Sequence, residues 1–240
     1  MLLCFIIKRS FDKINKNMGF DVKNTTFLSL LDMVFPYTCR GCGRLGSVLC
    51  GRCKKHNIQA SVGICPRCRK IIKRCSCIVP VYGFCYREGV VDDLLKEYKY
   101  KSVRGAAEVL AECLDAAIPD SVLEAEIVPL PTAPKHIRAR GFDHTLYLAK
   151  ALSRRREGFS VCRALRRASN DVQVGKDDKT REEQAARAYK ASNACRINPE
   201  KLYILIDDVW TTGSSMEAAI KVMQKAGAVK LASAVLLMPR

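Results

Sequence analysis

Apolar residues along the chain change their period several times, and each change marks an element. Within residues 25–35, Phe27, Leu28, Leu30, Leu31 and Val34 recur at helical spacing, and Pro36 ends the pattern. Residues 81–86 read as a strand and 91–99 as a helix, and 106–118 read as a second helix with Ala107, Leu110, Ala111, Leu114 and Ala117 on one face. Residues 126–130 form a short strand ending among Pro129 and Pro131, and 145–153 a helix carrying Leu146, Ala149 and Leu152. The run 202–206 is apolar without interruption, the mark of a strand buried on both faces. A loop, a helix over 215–226 stopped by Gly227, and a strand over 231–237 follow it. Strand, helix, strand at this spacing is a βαβ unit, so residues 81–240 are predicted to form an α/β body with a largely parallel sheet. Residues 166–199 are polar and irregular, long enough for a functional mobile loop. Residues 8–24 have no clear period, and 1–24 read as a leader, either disordered or an upstream extension with Met18 as the start.

Composition narrows the class. With 240 residues, 48% hydrophobic and 27% charged, the chain is neither disordered nor fibrous. Lys and Arg number 41 against 24 Asp and Glu, a formal charge of +17, which calls for a polyanionic partner: nucleic acid, a membrane surface or a phosphorylated substrate. The apolar segment 2–7 is far too short for a membrane span, and the chain reads as soluble and cytoplasmic. The 13 cysteines, an odd number without a secretory signal, point to metal ligands in a reducing compartment rather than a disulfide scaffold.

Eight of those cysteines fall in four close pairs: Cys39 and Cys42, Cys50 and Cys53, Cys65 and Cys68, Cys75 and Cys77. Two thiolates two residues apart grip one tetrahedral zinc from a tight turn, and two such pairs close a structural site, so eight ligands make two zinc sites. Serial pairing (39/42/50/53, then 65/68/75/77) is simplest, and a crossed arrangement uses the same spacings. Cys4, Cys85, Cys113, Cys162 and Cys195 lack ligand spacing and read as packing residues. Between residues 36 and 80 there are ten Lys and Arg and no Asp or Glu, a composition shift that marks 25–80 as a separate module. Eight thiolates on two Zn²⁺ leave that module at about +6, so its basic surface survives metal binding.

The chemistry concentrates at 203–215, YILIDDVWTTGSS. A buried strand ends in Asp207 and Asp208, and a turn holding Thr211, Thr212, Gly213, Ser214 and Ser215 leads into an amphipathic helix. Backbone N–H groups at a helix start attract phosphate, hydroxyls add donors, and the carboxylates accept hydrogen bonds from vicinal ribose hydroxyls, so the arrangement suits a sugar phosphate. Ser214 and Glu217 also have capping-box spacing. The Gly-rich fingerprints of nucleotide P-loops and dinucleotide folds are absent.

This segment resembles the 5-phosphoribosyl 1-diphosphate (PRPP) motif of type I phosphoribosyltransferases, and the resemblance narrows to the ComF (competence protein F) family. Further matches are FPYTC from Phe35, YREG from Tyr86, Lys99 with Tyr100, VPLP from Val128, RARGF from Arg138, and Gln173 followed by Arg181. The resemblance implies a parallel-sheet type I phosphoribosyltransferase-like domain behind a small N-terminal double zinc ribbon. It implies that Asp207 and Asp208 hold the ribose and act in catalysis, that Thr211 to Ser215 hold the 5-phosphate, and that the turn after Leu130 holds the pyrophosphate. Lys99, Lys135, Arg138, Arg140 and Arg181 are the further substrate-binding positions, residues 166–189 the loop over the site, and Mg²⁺ the ion bound with PRPP. The chain departs from the family at Asp143 and His144, where Asn and Gln are usual, and at Gln184, where Asn is usual. Trp210 replaces an aliphatic residue and either walls the ribose pocket or packs in the core.

Three functions follow from the resemblance: a phosphoribosyltransferase linked to handling incoming single-stranded DNA in natural transformation, with other competence proteins as partners; a non-catalytic zinc-dependent DNA-binding protein regulated by PRPP; or a phosphoribosyltransferase of nucleotide metabolism. Candidate DNA contacts are Lys54, Lys55, Lys70 and Lys73 in the cysteine module, or the run Arg154, Arg155 and Arg156 at a helix end.

Overall fold

Alternate positions of the apolar strands face two different cores, and that alternation builds the layers of the molecule. A computed structural model describes residues 37–58, 63–100, 105–168 and 188–239; the leader, the helix expected at 25–35, Gln184 and Arg181 lie outside them. Strands β1 (Val81–Tyr86), β2 (Ala125–Pro129), β3 (Phe159–Val161), β6 (Leu202–Val209) and β7 (Lys230–Met238) form one sheet in the order β1-β7-β6-β2-β3. Every pair in it is parallel, so the chain is α/β as expected. Strands β4 (Leu165–Arg167) and β5 (Tyr189–Ala191) pair antiparallel beside it, at the two ends of the expected loop.

Ile127, Ile204, Ile206 and Leu236 face one side, where they meet Leu94 of α2 (Gly89–Tyr100), Leu110 and Leu114 of α3 (Ala106–Ala117) and Leu148 and Leu152 of α5 (His144–Ser153). Val128, Leu205 and Val235, one residue out of phase, face the other side and meet Met216, Ile220 and Met223 of α6 (Ser214–Lys225). Such two-sided burial is why the strand at 202–209 has no polar alternation before its acidic end.

The cysteine-rich segment, with α1 (Gly51–Ile58), straddles the β1 edge of the sheet. Cys39, Val48 and Leu49 join the core of α3 and α5, while Cys65 and Val79 join that of α6. Gly83 of β1 donates its N–H to the Ile64 carbonyl (3.1 Å), and a Cβ there would lie 2.8 Å from that oxygen, so only glycine admits the approach. Ion pairs Arg40–Glu97, Lys54–Glu112 and Arg67–Glu217 tie the segment to α2, α3 and α6. The contacts cover part of an edge strand that would otherwise present unpaired backbone.

Three expectations change. Cys162 and Cys195 are not separate packing residues but a disulfide (Cα–Cα 5.8 Å), because the backbone bonds Cys162 N–H to Ile127 O and Ser192 N–H to Ala164 O draw the segments after β3 and β5 together. Ser214 and Glu217 do not form a capping box: Gly213 caps α6, and Glu217 is taken by Arg67. The run Arg154, Arg155 and Arg156 is not a free basic patch. Arg154 pairs with Glu108, Arg155 and Arg156 with Asp115, and Arg156 also donates to the carbonyls of Asp115, Ile118, Pro119 and Val122, closing the C-terminal end of α3.

Among the described residues no helix is long and apolar enough to cross a membrane.

Candidate functional site

From β2 the chain runs through α4 (Pro134–Arg140) and α5 outward to β3, whereas from β6 it runs through α6 the other way, to β7. The carboxyl ends of β2 and β6 are adjacent, so their connections diverge and leave a crevice, the place where open α/β sheets bind ligands.

On the β6 side, the Trp210 N–H bonds to Leu237 O (2.8 Å) and carries the ladder two residues past the acidic pair. The chain then turns through Gly213, whose φ of +83° and position against the Trp210 indole (2.3 Å from a would-be Cβ to Cζ2) both require glycine. Thr211, Thr212 and Ser215 are exposed above this floor, with Thr212 Oγ1 2.8 Å from Ser214 Oγ. Asp207, Trp210, Thr211, Gly213 and Ser215 line a cleft of about 40 Å³. The turn thus presents hydroxyls and the start of a 12-residue helix. Trp210 is buried and packs beneath Gly213.

Asp207 and Asp208 diverge. Asp207 accepts the Asp208 N–H (2.9 Å), and burial, reinforced by the neighbouring Asp208 charge, pushes its carboxyl up to about 8. Burial raises Asp208 too, but the hydrogen bond from His144 and the charge of Lys99 outweigh it and hold Asp208 well below the usual carboxylate range. Lys99, at the end of α2, forms an ion pair with Asp208 Oδ2, and His144 Nε2 lies 2.9 Å from the same oxygen. His144 Nδ1 in turn is 3.0 Å from Arg140 Nη1 and 3.1 Å from Thr132 Oγ1.

On the β2 side, the Leu130 N–H bonds to Ile206 O (3.0 Å), and the chain leaves the sheet toward α4, which starts with Pro134 in its first turn. Lys135 and Arg138 are exposed on α4 and Arg140 is half-buried. His136 is held below its ordinary range by desolvation and then by the charges of Arg140 and Lys135, which marks this helix as electropositive. Gly141 reverses the chain with φ +79°, and Asp143 caps α5, its Oδ1 accepting from Leu146 N (3.3 Å), Thr132 Oγ1 (2.8 Å) and Thr145 Oγ1 (2.9 Å). Asp143 is thus the N-cap of α5, a position that favours a short acceptor side chain. Arg167 of β4 donates to Pro131 O (3.1 Å) and lies over the Tyr189 ring of β5, which sets the base of the expected loop beside the crevice.

The fold brings Lys99, Arg140, Asp207, Asp208 and the hydroxyl turn to one crevice, with Lys135 and Arg138 on the adjoining helix. Sequence reading misses Thr132 and the partnership of His144 with Asp208, and no local signal could show it: the two are 64 residues apart.

The cysteines assemble serially. The sulfurs of Cys39, Cys42, Cys50 and Cys53 lie within 4.8 Å of one another, as do those of Cys65, Cys68, Cys75 and Cys77. A tetrahedral zinc with Zn–S bonds of about 2.3 Å sets S···S edges of about 3.8 Å; the Cys42–Cys50 and Cys68–Cys75 sulfurs are both 3.7 Å apart. Burial opposes ionisation of Cys39, but backbone N–H groups of Cys50, Gly41 and Cys42 win and hold its thiol at about 6. The Lys70 N–H does the same for Cys68, at about 7, while desolvation and neighbouring sulfurs push Cys53 and Cys77 up to about 12. A thiolate beside thiols in each cluster is a donor set that a divalent ion such as zinc completes by displacing the remaining protons.

No family model and no curated protein matches the sequence. Among solved structures, a hypoxanthine phosphoribosyltransferase from Staphylococcus aureus is a distant likeness, with a TM-score of 0.34 and 12% identity over 60% of this chain and 71% of that one. A likeness at that level says nothing of what this chain binds.

Proposed function

We propose that the protein is a PRPP-binding phosphoribosyltransferase of the ComF type, acting in the cytoplasm. The observation that carries this reading is the junction of β6 and α6: an acidic pair, a glycine-floored hydroxyl turn and a helix N-terminus, set at the crevice where the connections of β2 and β6 diverge. The 5-phosphate sits on Thr211, Thr212, Gly213, Ser214 and Ser215, the ribose hydroxyls on Asp207 and Asp208, and the diphosphate on the electropositive side formed by Lys99, Lys135, Arg138 and Arg140. Arg181 is the further substrate-binding position that the family resemblance implies.

Magnesium would enter with PRPP, as this ion usually does with phosphate ligands, and would supply positive charge to the departing diphosphate beside Asp207 and Asp208. The protein's own contribution to transfer is positioning of the sugar and stabilisation of the negative charge that develops on the departing pyrophosphate, through preorganised cations in a recessed site. Zinc in the two cysteine clusters is structural: four thiolates close each coordination shell and leave no position for substrate. A link to the handling of incoming single-stranded DNA is what the family resemblance implies. The basic balance of the chain supports an anionic partner, and the exposed Lys55, Lys70, Lys73 and Arg74 are among the cysteine module's contributions to it.

Thermal unfolding with PRPP and Mg²⁺ tests the reading. Ligand that binds only the native state raises the melting temperature in proportion to log concentration. The expected result is a rise with PRPP that needs Mg²⁺, a smaller rise with ribose 5-phosphate, and pyrophosphate release on adding the right acceptor, with nucleobases and single-stranded DNA as candidates. No shift with any of these ligands would overturn it.

A further inference from the structure

We propose that His144 is a positioning residue that couples the pyrophosphate side of the crevice to its ribose side, holding a proton on Nε2 for Asp208 and a lone pair on Nδ1 for Arg140. The inference rests on the PRPP reading above and adds to it a residue that the reading does not need.

The hydrogen bonds fix the tautomer. Arg140 Nη1 is 3.0 Å from Nδ1, and a guanidinium has donors only, so Nδ1 is the acceptor. The ring proton is therefore on Nε2, 2.9 Å from Asp208 Oδ2, which accepts it. A ring flip would set carbon atoms where Arg140 and Asp208 now meet nitrogen, so these two bonds hold the ring in this orientation. Thr132 Oγ1 stands 3.1 Å from Nδ1, and the residue is buried at the first turn of α5. A histidine serving only to fill the core would not have both nitrogens aimed at charged groups.

The result is a relay Arg140 → His144 → Asp208, with Lys99 on the same Asp208 oxygen. Donation by Arg140 to Nδ1 polarises the ring and makes Nε2–H a stronger donor, since linked hydrogen bonds reinforce one another. When a pyrophosphate group draws Arg140 off Nδ1, the bond to Asp208 weakens and that carboxylate becomes available to ribose hydroxyls. The reverse holds equally, since coupling between two sites is reciprocal. Without ligand, the cations and the acid satisfy one another through the imidazole and stay correctly placed.

The experiment has two arms on the full chain. Nitrogen-15 NMR of histidine-labelled protein, with the His144 signals assigned by their loss in His144→Gln, should show a pyrrole-like Nε2 and a pyridine-like Nδ1 without ligand, and magnesium pyrophosphate should move Nδ1. A cationic ring or the opposite tautomer overturns the proposal, whatever the variants do. Calorimetry of ribose 5-phosphate with and without magnesium pyrophosphate forms the second arm. In the wild type each ligand should tighten the other; His144→Gln, whose amide offers one donor and one acceptor, should keep the effect, and His144→Leu should lower the coupling factor by about fivefold or more. Equal coupling in the wild type and His144→Leu overturns this inference and leaves the PRPP reading standing, whereas failure of pyrophosphate, ribose 5-phosphate and PRPP to bind overturns both.

Discussion

Asp207 and Asp208 are neighbours in sequence and opposites in charge preference. Asp208 faces Lys99 and His144, whereas Asp207 is desolvated beside a carboxylate that is already ionised. The folded-state carboxyl of Asp207 is raised to about 8 from an ordinary value of 3.8, so the native state binds more protons between those values and stability is lost as pH climbs through that window. Asp207→Asn keeps the oxygen that accepts the Asp208 N–H and removes the titration. Urea melts at several pH values should therefore show a shallower fall of stability between about pH 4 and 8 in the variant than in the wild type. Gly213 gives a second prediction: with φ +83° and Trp210 against it, Gly213→Ala should cost more than about 1 kcal/mol in the same melts and distort the hydroxyl turn. The acid pair and the hydroxyl turn are legible in sequence because strand, acids, turn and helix lie within one short segment. His144 and Thr132 are not, since their roles exist only once β2 is laid beside β6.

At the level of elements, long periodic segments can be read and short ones cannot. The helices at 89–100, 106–117 and 144–153 and the strand at 202–209 start within two residues of where their apolar period places them. By contrast β3, β4 and β5 have three residues each, too few to show an alternation, and α4 is a seven-residue helix with no buried side chain. The arginine run after α5 misleads for a related reason. Sequence shows charge but not partners, and Arg156 spends its guanidinium on Asp115 and the carbonyls that end α3. Arg156→Ala leaves that partly buried carboxylate with only the longer contact to Arg155 and takes a donor from each of those carbonyls, and chemical denaturation should show a loss of about 2 kcal/mol or more. Arg67 joins two elements differently, linking the second cysteine cluster to the first turn of α6 through Glu217. Stripping metal from the protein with a chelator should speed amide hydrogen exchange at the start of α6 as well as around the cysteines; unchanged α6 protection would mean that the cluster and the helix are independent.

At the scale of the whole molecule, the described basic residues include a set paired with acids and a set exposed on the cysteine-rich segment. Arg40, Lys54, Arg67 and Arg154 to Arg156 are bound to acids of the body, while Lys55, Lys70, Lys73 and Arg74 lie exposed on the cysteine-rich segment. Neutralising those four together should weaken single-stranded DNA binding and flatten its salt dependence, by about 0.7 in log–log slope for each phosphate that the protein no longer neutralises. Titrations at several salt concentrations that find no change would remove this surface from the proposed DNA role and leave the proposed PRPP site untouched. That site is the centre of the account, and calorimetry of PRPP binding tests it most directly. PRPP should bind only with Mg²⁺, and affinity should fall by more than about tenfold in both Asp208→Asn and Thr212→Val, since each removes a charged or hydroxyl contact worth roughly 1.5–3 kcal/mol. Absence of binding in the wild type, or the same affinity in both variants as in the wild type, would contradict it.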